Sequence, residues 1–333
     1  MTKKSILVTG ACGFIGSFLC ERLLKDNHHV VGIDNINDYY SIDLKNSRLE
    51  KLNELNLYFT FEKIDIADKD NLEKLFINNK FDIVVNLAAQ AGVRYSIENP
   101  DIYIKSNIIG FYNILELVRK YPVEHLIFAS SSSIYGNNTK IPFSTDDKTD
   151  MPVSLYAATK KSDELLAYTY SYLYDMKVTG LRFFTVYGPS GRPDMAYFSF
   201  TDKLLNDEKI KIFNYGKCER DFTYIDDIVE GITRIINKGP IDKYNLYNIG
   251  NNHPENLMDF VYTLADRLKA NGLLDDNFNV DEHLDLVEMQ AGDVPITYAD
   301  TSALEKDYGF KPNTSLKDGL DQFVKWYKQY YKK

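Results

Sequence analysis

Residues 5–16, SILVTGACGFIG, join an apolar run of strand length to a loop that contains three glycines. The run predicts a buried β-strand, and the pattern after it predicts a helix over 13–26. Between the two elements, Gly10 permits a tight turn, Gly13 lets the backbone approach a pyrophosphate, and Gly16 lets helix and strand pack closely. Glycine turns are also common for structural reasons alone. The position between a strand and a helix is what favours a dinucleotide-binding loop.

An acidic residue supports the same interpretation. The second predicted strand, 29–33, is followed directly by Asp34. A carboxylate at this strand end accepts hydrogen bonds from both ribose hydroxyls of a dinucleotide and repels a 2′-phosphate. A solvated acid at a strand end is the alternative. The loop and the acid together predict NAD, and not NADP, as the cofactor.

Short apolar segments alternate with longer amphipathic ones through the first half of the chain. The predicted strands are 5–9, 29–33, 57–64, 81–88, 125–130 and 178–184, and the predicted helices are 13–26, 68–79, 102–121 and 154–176. Apolar strands that alternate with helices indicate an α/β fold, with a Rossmann-type doubly wound parallel sheet. We expect residues 1–185 to form the NAD-binding Rossmann domain.

The order of elements loosens beyond residue 190, where helical patterns appear near 255–271 and 315–331. We expect residues 186–333 to form a smaller C-terminal α/β lobe that binds the substrate. The stretch 222–250 is expected to pack back on the first domain. The boundary near 185 is approximate for that reason.

Composition narrows the possible functions. The chain has 333 residues and a net charge of −9, which argues against nucleic acid as a partner because phosphate binding needs a basic surface. We expect no membrane span, since no apolar run approaches the about 20 residues that one needs, and no export signal. The three cysteines form no CxxC pair, which suits reduced thiols in the cytoplasm. No His/Cys cluster has metal-ligand spacing, so we expect no metal.

Two further stretches carry candidate catalytic residues. The strand near 125–130 runs into ASSSSIYG at 129–136, and YAATK follows at 156–160. Tyr156 and Lys160 are one turn apart on a predicted helix and therefore share a face. A free tyrosine has a pKa of about 10, and an ammonium group one turn away favours its phenolate. We predict Tyr156 as a base supported by Lys160, and Ser131 as a hydroxyl that reaches the same substrate atom. A polar turn and a surface helix pair are the structural alternatives.

With these motifs the chain resembles the extended short-chain dehydrogenase/reductase family over essentially its whole length. The stretches that carry the resemblance are GACGFIG, NLAAQAG (86–92), SSSSIYG, YAATK and RFFTVYGP (182–189). The branch it is most similar to is the epimerases of UDP-glucuronate, on DNINDYYSIDLK (34–45), TVYGPSGRPDMAYF (185–198), YGKCERDFTYIDD (215–227) and AGDVPITYADTS (291–302). The resemblance implies a UDP-sugar substrate and a homodimer joined through the helices at 102–121 and 154–176.

The resemblance also assigns residues to the site. Besides the three glycines and Asp34, it places along NAD Phe14, Ile15, Asn35, Asp65, Ile66, Leu87, Ala88, Ala89, Ser106, Tyr156 and Lys160. At the nucleotide end of the substrate it places Ile212 and Phe213 on the uracil, Arg220 on the diphosphate and Asp293 near the ribose. Gln290 stands where galactose-type epimerases usually carry an arginine, and Thr185 stands where they carry an asparagine.

The residues after Ser131 separate the expected activity from related ones. Sister dehydratases place Asp-Glu there and decarboxylases place a Glu two residues on, whereas this chain has Ser132 and Ser133. Elimination of water from the 4-keto sugar then lacks a general acid, so epimerisation through the 4-keto sugar is the expected reaction. We expect Ser132, Ser133, Thr185 and Arg192 to hold the sugar carboxylate. The open alternatives are a UDP-glucose/galactose 4-epimerase, a UDP-glucuronate decarboxylase and a non-catalytic NAD-binding sensor.

Overall fold

A computed structural model describes residues 3–55, 58–289 and 295–333. Its strands are β1 (Ser5–Thr9), β2 (His29–Asp34), β3 (Phe59–Lys63), β4 (Ile83–Asn86), β5 (His125–Ser131), β6 (Val178–Phe183), β7 (Thr185–Tyr187), β8 (Ile210–Ile212), β9 (Glu219–Tyr224), β10 (Tyr244–Ile249), β11 (Pro254–Asn256), β12 (Leu284–Leu286) and β13 (Ile296–Thr297). Its α-helices are α1 (Phe14–Lys25), α2 (Ile42–Glu54), α3 (Lys69–Asn78), α4 (Tyr95–Glu98), α5 (Pro100–Tyr103), α6 (Gly110–Lys120), α7 (Leu155–Tyr174), α8 (Ala196–Leu205), α9 (Ile225–Lys238), α10 (Leu257–Ala270), α11 (Ser302–Tyr308) and α12 (Leu316–Tyr331).

The large sheet has seven parallel strands in the order β10-β6-β5-β4-β1-β2-β3. Strand β1 lies inside the sheet, with β2 on one side and β4 on the other, so the chain reverses its direction of winding there. This arrangement confirms the predicted doubly wound Rossmann-type sheet. In such sheets ligands bind beyond the carboxyl ends of the strands, at the point where the winding reverses.

Both faces of the sheet are buried. Successive side chains of a strand point to opposite sides, and three successive residues of β1 are apolar. Ile6 and Val8 pack in one core with residues of α1 and α9, and Leu7 packs in a second core with residues of α3 and α6. These three side chains are fully buried. Helices on both faces therefore fix the strand ends where the glycine loop begins.

All six predicted strands are present, with ends that move by a few residues. The predicted helix over 102–121 is a composite, in which a π-helical segment, Ile104–Ile109, joins α5 to α6. In that segment the amide of Asn107 donates to the carbonyl of Gln90 (3.1 Å) and to the hydroxyl of Thr159 (2.9 Å). The π-turn thus brings a polar side chain to the loop after β4, as π-turns at functional sites often do.

Helix α2 was not predicted from the sequence. Its stretch, IDLKNSRLEKLNE, buries just two leucines, Leu44 and Leu52, together with Lys45 and Arg48. A helix with two charged residues on its buried face shows little of the apolar periodicity on which a sequence reading depends. Ser41 caps the helix by accepting a hydrogen bond from the amide of Leu44 (3.2 Å).

The second half of the chain builds small sheets beside the large one. Strand β9 pairs with β7, β11 and β13, and β8 pairs with β12. Helices α10 and α12 pack against each other over this region, while strand β10 lies in the large sheet beside β6. Within the described residues, none of the helices is long and apolar enough to cross a membrane, and no cluster of His, Cys, Asp and Glu is suited to a metal ion.

Candidate active site

The glycine loop packs so closely that side chains are excluded from it. Gly10 has φ +72°, and a Cβ there would lie 2.9 Å from the backbone nitrogen of Ala88. A Cβ on Gly16 would lie 2.0 Å from the carbonyl oxygen of Gly10, so helix α1 and the end of β1 touch at this glycine. Helix α1 begins at Phe14 with Gly13 as its N-cap. The amide groups of its first turn, together with the helix dipole, suit a phosphate.

Two carboxylates stand beside this loop at the ends of neighbouring strands. Asp34 accepts hydrogen bonds from the backbone amides of Cys12 (3.1 Å) and Ile36 (2.8 Å). Asp65 accepts one from the amide of Ala67 (2.9 Å) and pairs with Lys105 at 3.2 Å. These backbone bonds fix each carboxylate at the edge of the cleft.

An open cleft of about 1440 Å³ follows the carboxyl ends of the large sheet. Each residue that the sequence predicts along NAD lines it: Gly10, Gly13, Phe14, Ile15, Gly16, Asp34, Asn35, Asp65, Ile66, Leu87, Ala88, Ala89, Ser106, Tyr156 and Lys160. Ser131 and Arg192 line it as well. The structure therefore brings the predicted cofactor residues and the predicted catalytic residues to one cleft.

The serine run occupies the end of β5 and the turn after it. Ser131 accepts hydrogen bonds from the amide of Ser133 (3.2 Å) and from its hydroxyl (2.9 Å). Ser132 and Ser133 begin a 3₁₀ turn, Ser132–Tyr135, and the described lining of the cleft does not include them. Both bonds are made to the hydroxyl oxygen of Ser131, and Ser131 itself lines the cleft.

Ser130 points the other way, into a buried polar network behind the site. Its hydroxyl donates to Glu164 (2.7 Å), which Arg182 holds by two hydrogen bonds of 2.9 and 3.0 Å. Arg182 also donates to the hydroxyl of Tyr135 (2.9 Å), and that hydroxyl donates to Asn248 (2.6 Å). The network joins β5, β6, α7 and β10 directly behind Ser131.

Tyr156 and Lys160 lie in the first turns of α7, whose N-terminus is capped by Ser154 through the amide of Ala157 (3.1 Å). The ring of Tyr156 meets that of Tyr103 edge to face, with centroids 6.1 Å apart. The ammonium of Lys160 donates to Asp163 at 2.8 Å, and these two side chains are 3% and 1% exposed. Tyr156 and Lys160 both line the cleft from this helix.

Arg192 reaches the cleft from the loop between β7 and α8. Its guanidinium donates to both carboxylate oxygens of Asp194, at 3.0 Å on one side. The hydroxyl of Tyr39 also approaches Asp194, at 3.4 Å, and burial raises the pKa of Tyr39 to about 12, so this hydroxyl stays protonated. The pair places a fixed cation at the edge of the cleft, with a tyrosine from the first half of the chain beside it.

The other predicted substrate residues lie further along the smaller lobe. Thr185 begins β7, and Arg220 lies on the neighbouring strand β9, where it donates to the carbonyl of Pro295 (3.0 Å). Ile212 is fully buried in the core, so its side chain is not available to a ligand, while Phe213 lies under the guanidinium of Arg94, 5.0 Å from the ring centroid. Gln290 and Asp293 lie outside the described residues.

Several residues at the cleft were not predicted. The lining also includes Asn37, Tyr39, Tyr40, Lys45, Gln90, Ala91, Ser130, Phe183, Phe184, Val186 and Met195. Tyr39, Tyr40 and Lys45 belong to the DNINDYYSIDLK stretch, so the motif that carried the resemblance contained them. The others belong to quoted stretches as well: Asn37 to DNINDYYSIDLK, Gln90 and Ala91 to NLAAQAG, Ser130 to SSSSIYG, Phe183, Phe184 and Val186 to RFFTVYGP, and Met195 to TVYGPSGRPDMAYF.

Comparison with known proteins places the chain among enzymes with this cleft. The NAD dependent epimerase/dehydratase family matches residues 6–250. Protein CapI of Staphylococcus aureus is 51% identical over 98% of this chain and 99% of its own length, and UDP-glucuronate 4-epimerase 4 of Arabidopsis thaliana is 45% identical over 98% and 76%.

A solved structure agrees with this assignment. The UDP-glucuronic acid 4-epimerase of Bacillus cereus, in complex with UDP-glucuronic acid and NAD, superposes with a TM-score of 0.89 at 35% identity, over 98% of this chain and all of that one. The glycine loop, the strand-end carboxylates and the family match lead to one conclusion. The chain belongs to the NAD dependent epimerase/dehydratase family.

Proposed function

We propose that this protein is an NAD-dependent UDP-glucuronate 4-epimerase, which interconverts UDP-glucuronate and UDP-galacturonate through a 4-keto sugar. The observation that supports the proposal is the cleft itself, since Ser131, Tyr156 and Lys160 line the same cleft as the glycine loop. A relative that is 45% identical over 98% of the chain bears the name UDP-glucuronate 4-epimerase 4, and one that is 40% identical over 98% bears the name "Probable UDP-glucuronate 4-epimerase". The Bacillus cereus enzyme that superposes on this chain was solved with both UDP-glucuronic acid and NAD.

The residues of the cleft fit NAD. A Cβ on Gly13 would lie 2.9 Å from the carbonyl oxygen of Gly10, so the loop closes tightly before α1, whose first amides suit a phosphate. Asp34 is anchored through two backbone amides and is placed for the adenosine ribose, and Asp65 stands on the next strand end. When bound there, NAD would supply the acceptor, and then the donor, of the hydride that leaves and returns to C4 of the sugar.

Tyr156 is the proposed base. As a phenolate it accepts the proton of the C4 hydroxyl, and it returns that proton when the ketone is reduced. The ammonium of Lys160, one turn further along α7, favours the phenolate. Ser131 donates its hydroxyl proton to the same C4 oxygen and thereby orients the sugar.

Acids close to Ser131 are already engaged. Asp163 is paired with Lys160, and Glu164 is held by Arg182 and Ser130. Neither carboxyl is placed as a proton donor for elimination at the 4-keto stage, and Ser132 and Ser133 supply none. Epimerisation is therefore favoured over dehydration.

The sugar carboxylate needs a holder of its own, because the 4-keto form of glucuronate is a β-keto acid that loses CO₂ readily when the breaking bond lies perpendicular to the carbonyl plane. Arg192 lines the cleft as a cation, and its pairing with Asp194 fixes its plane. Ser132, Ser133 and Thr185 stand near the ends of β5 and β6, outside the described lining of the cleft, and are the neutral candidates. We assign these four residues to the carboxylate, since charge-assisted bonds fix its orientation best.

The nucleotide end of the substrate is assigned to the smaller lobe. Arg220 is proposed to contact the diphosphate, and Phe213 is proposed to stack on the uracil. Arg94 lies over Phe213 and supplies a second cation from the first half of the chain. This division of roles supports residues 1–185 as the NAD-binding domain and residues 186–333 as the substrate lobe, with 222–250 packing back on the first.

A second copy of the chain is the proposed partner. Helices α6 and α7 expose large apolar side chains, Tyr112, Leu165, Tyr168, Tyr172 and Leu173, and the last two are 78% and 60% exposed. Exposed large apolar side chains on neighbouring helices are typical of a subunit interface. The protein is proposed to work in the cytoplasm, which its three unpaired cysteines support.

The test is to incubate purified, NAD-loaded protein with UDP-glucuronate and, separately, with UDP-glucose. We expect UDP-galacturonate from the first, without accumulation of NADH, because the hydride is returned in each cycle. Faster turnover of UDP-glucose would identify a UDP-glucose/galactose 4-epimerase instead. UDP-pentose and CO₂ as main products would identify a decarboxylase, and retained NAD without turnover would identify a sensor.

A further inference from the structure

The catalytic lysine has a buried anionic partner that the proposed mechanism does not use. Asp163 follows Lys160 by three positions on α7, and its Oδ2 accepts a hydrogen bond from the ammonium at 2.8 Å. Lys160 itself follows Tyr156 by four positions. Residues spaced by three and four lie on one face of a helix, so phenol, ammonium and carboxylate form a row. The two charged side chains are 3% and 1% exposed.

Asp163 is not bonded as a structural carboxylate would be. Its second oxygen, Oδ1, is buried and has no hydrogen-bond partner among the described residues. The buried Asp221 is a contrast within the chain, since its Oδ1 accepts from Asn251 and Thr223 and its Oδ2 accepts from Asn252 and Ala299. A buried carboxylate with one oxygen unsatisfied is costly to keep. The contact with Lys160 is the one hydrogen bond that the described residues give the Asp163 carboxylate.

Other charges near the row are already neutralised. Glu164, the next residue of α7, is held by Arg182 of β6 and by Ser130 of β5, and Lys161 lies 3.7 Å from Glu164. On the helical segment packed against α7, Lys105 pairs with Asp65, and Tyr103 contacts Tyr156 through its ring. On α6, which also packs against α7, Glu116 binds Arg119 and Tyr170. Lys160 is the cation that Asp163 faces.

We propose that Asp163 is a positioning residue of the epimerase, which holds the ammonium of Lys160 in place and tempers the positive charge that Lys160 exerts on the phenol of Tyr156. This inference rests on the proposed function of Tyr156 as the base. Asp163 exchanges no proton during turnover. An ammonium paired with a carboxylate lowers the pKa of a neighbouring phenol less than a lone ammonium does.

Two substitutions test the charges of the pair separately. Asp163→Asn keeps the shape and an oxygen that accepts from Lys160 but removes the negative charge, whereas Lys160→Met removes the positive charge. The pKa of Tyr156 should therefore fall in the first variant, by about 0.5–1 unit for a charge roughly two side chains away, and rise in the second. Asp175→Asn is the matched control, because Asp175 ends the same helix but is 76% exposed and pairs with Lys243.

The measurement is the ultraviolet absorbance of tyrosinate during a pH titration of the NAD-loaded protein. Each protein is compared with the same protein carrying Tyr156→Phe, so the difference isolates one phenol among the 25 tyrosines. No substrate is added, so a wrong substrate assignment leaves this result unaffected. A lower pKa in Asp163→Asn with an unchanged value in Asp175→Asn supports the proposal. An unchanged or higher value in Asp163→Asn overturns it.

The pH dependence of turnover is a second test. The acidic limb of the pH–rate profile should move to lower pH in Asp163→Asn and to higher pH in Lys160→Met. Burial raises the pKa of Asp163 to about 6, although Lys160 opposes the rise. The wild type and Asp163→Asn should therefore approach each other near and below that pH, where both have a neutral side chain at position 163. A constant separation of the two profiles at all pH values would contradict the electrostatic role.

Discussion

The buried pair behind the serine run allows a sharp test of the structure. Arg182 and Glu164 are both 2% exposed and share two hydrogen bonds of 2.9 and 3.0 Å. In Arg182→Met the carboxylate of Glu164 stays buried, with the hydroxyl of Ser130 at 2.7 Å and Lys161 at 3.7 Å. Removing one partner of a buried pair costs about 3–5 kcal/mol. We expect a loss of that size in the free energy of unfolding.

The assay is urea unfolding followed by circular dichroism. Arg22→Met is the control, because Arg22 also pairs with acids, Asp26 and Glu230, but is 38% exposed, and exposed pairs contribute about 1 kcal/mol or less. The double variant Arg182→Met/Glu164→Leu should cost less than the sum of its single changes, since neither charge remains buried. If Arg182→Met lowers the free energy of unfolding no more than Arg22→Met does, Arg182 and Glu164 do not behave as a buried ion pair.

Tyr156→Phe should still bind NAD in a thermal-shift titration but lose turnover by about 100-fold or more, and near-normal kcat would mean that another group is the base. Asp34→Ala should lower the affinity for NAD in equilibrium binding and reduce discrimination against NADP, whereas unchanged affinities would show that Asp34 does not contact the ribose. Arg192→His and Thr185→Val should each raise the ratio of 4-keto-pentose and CO₂ to UDP-galacturonate; a slower reaction with the same ratio would show that they do not guard the carboxylate. Burial lowers the pKa of His125 to about 3, so the free energy of unfolding should fall as the pH drops from about 6.5, the unfolded value, towards 3, and His125→Gln should flatten that slope; equal slopes would show that His125 titrates normally.

Much of the cleft could be read from the chain because its determinants are local. The glycine loop needs three positions without side chains within seven residues, and each shows its reason in the contacts that a Cβ would make. Tyr156 and Lys160 share a face because they are four apart on a helix. The parallel sheet then carries β1, β2 and β5 to one edge, so loop, Asp34 and Ser131 meet there.

Helix α2 and the loop before Arg192 show where such reasoning ends. Arg48 of α2 is buried and donates to the carbonyls of Cys12 (2.8 Å), Ser190 (2.7 Å) and Gly191 (3.1 Å). It thus ties the glycine loop to a segment far away in sequence. Ser190 has φ +53°, a conformation that an unsupported serine rarely adopts. Hydrophobic periodicity in the sequence does not predict a side-chain contact between distant loops.

The amino-acid sequence determined the Rossmann-type sheet, the NAD loop and the spacing of the catalytic pair, since short-range geometry and apolar periodicity suffice for these. Tertiary packing alone decided that the side chain of Ile212 is buried in the core, that Arg192 is held by Asp194, and that Asp163 is sealed against Lys160 with one oxygen unpaired. The physical reason is that burial and charge pairing depend on which distant segments cover a side chain. Those segments meet only after the chain has folded.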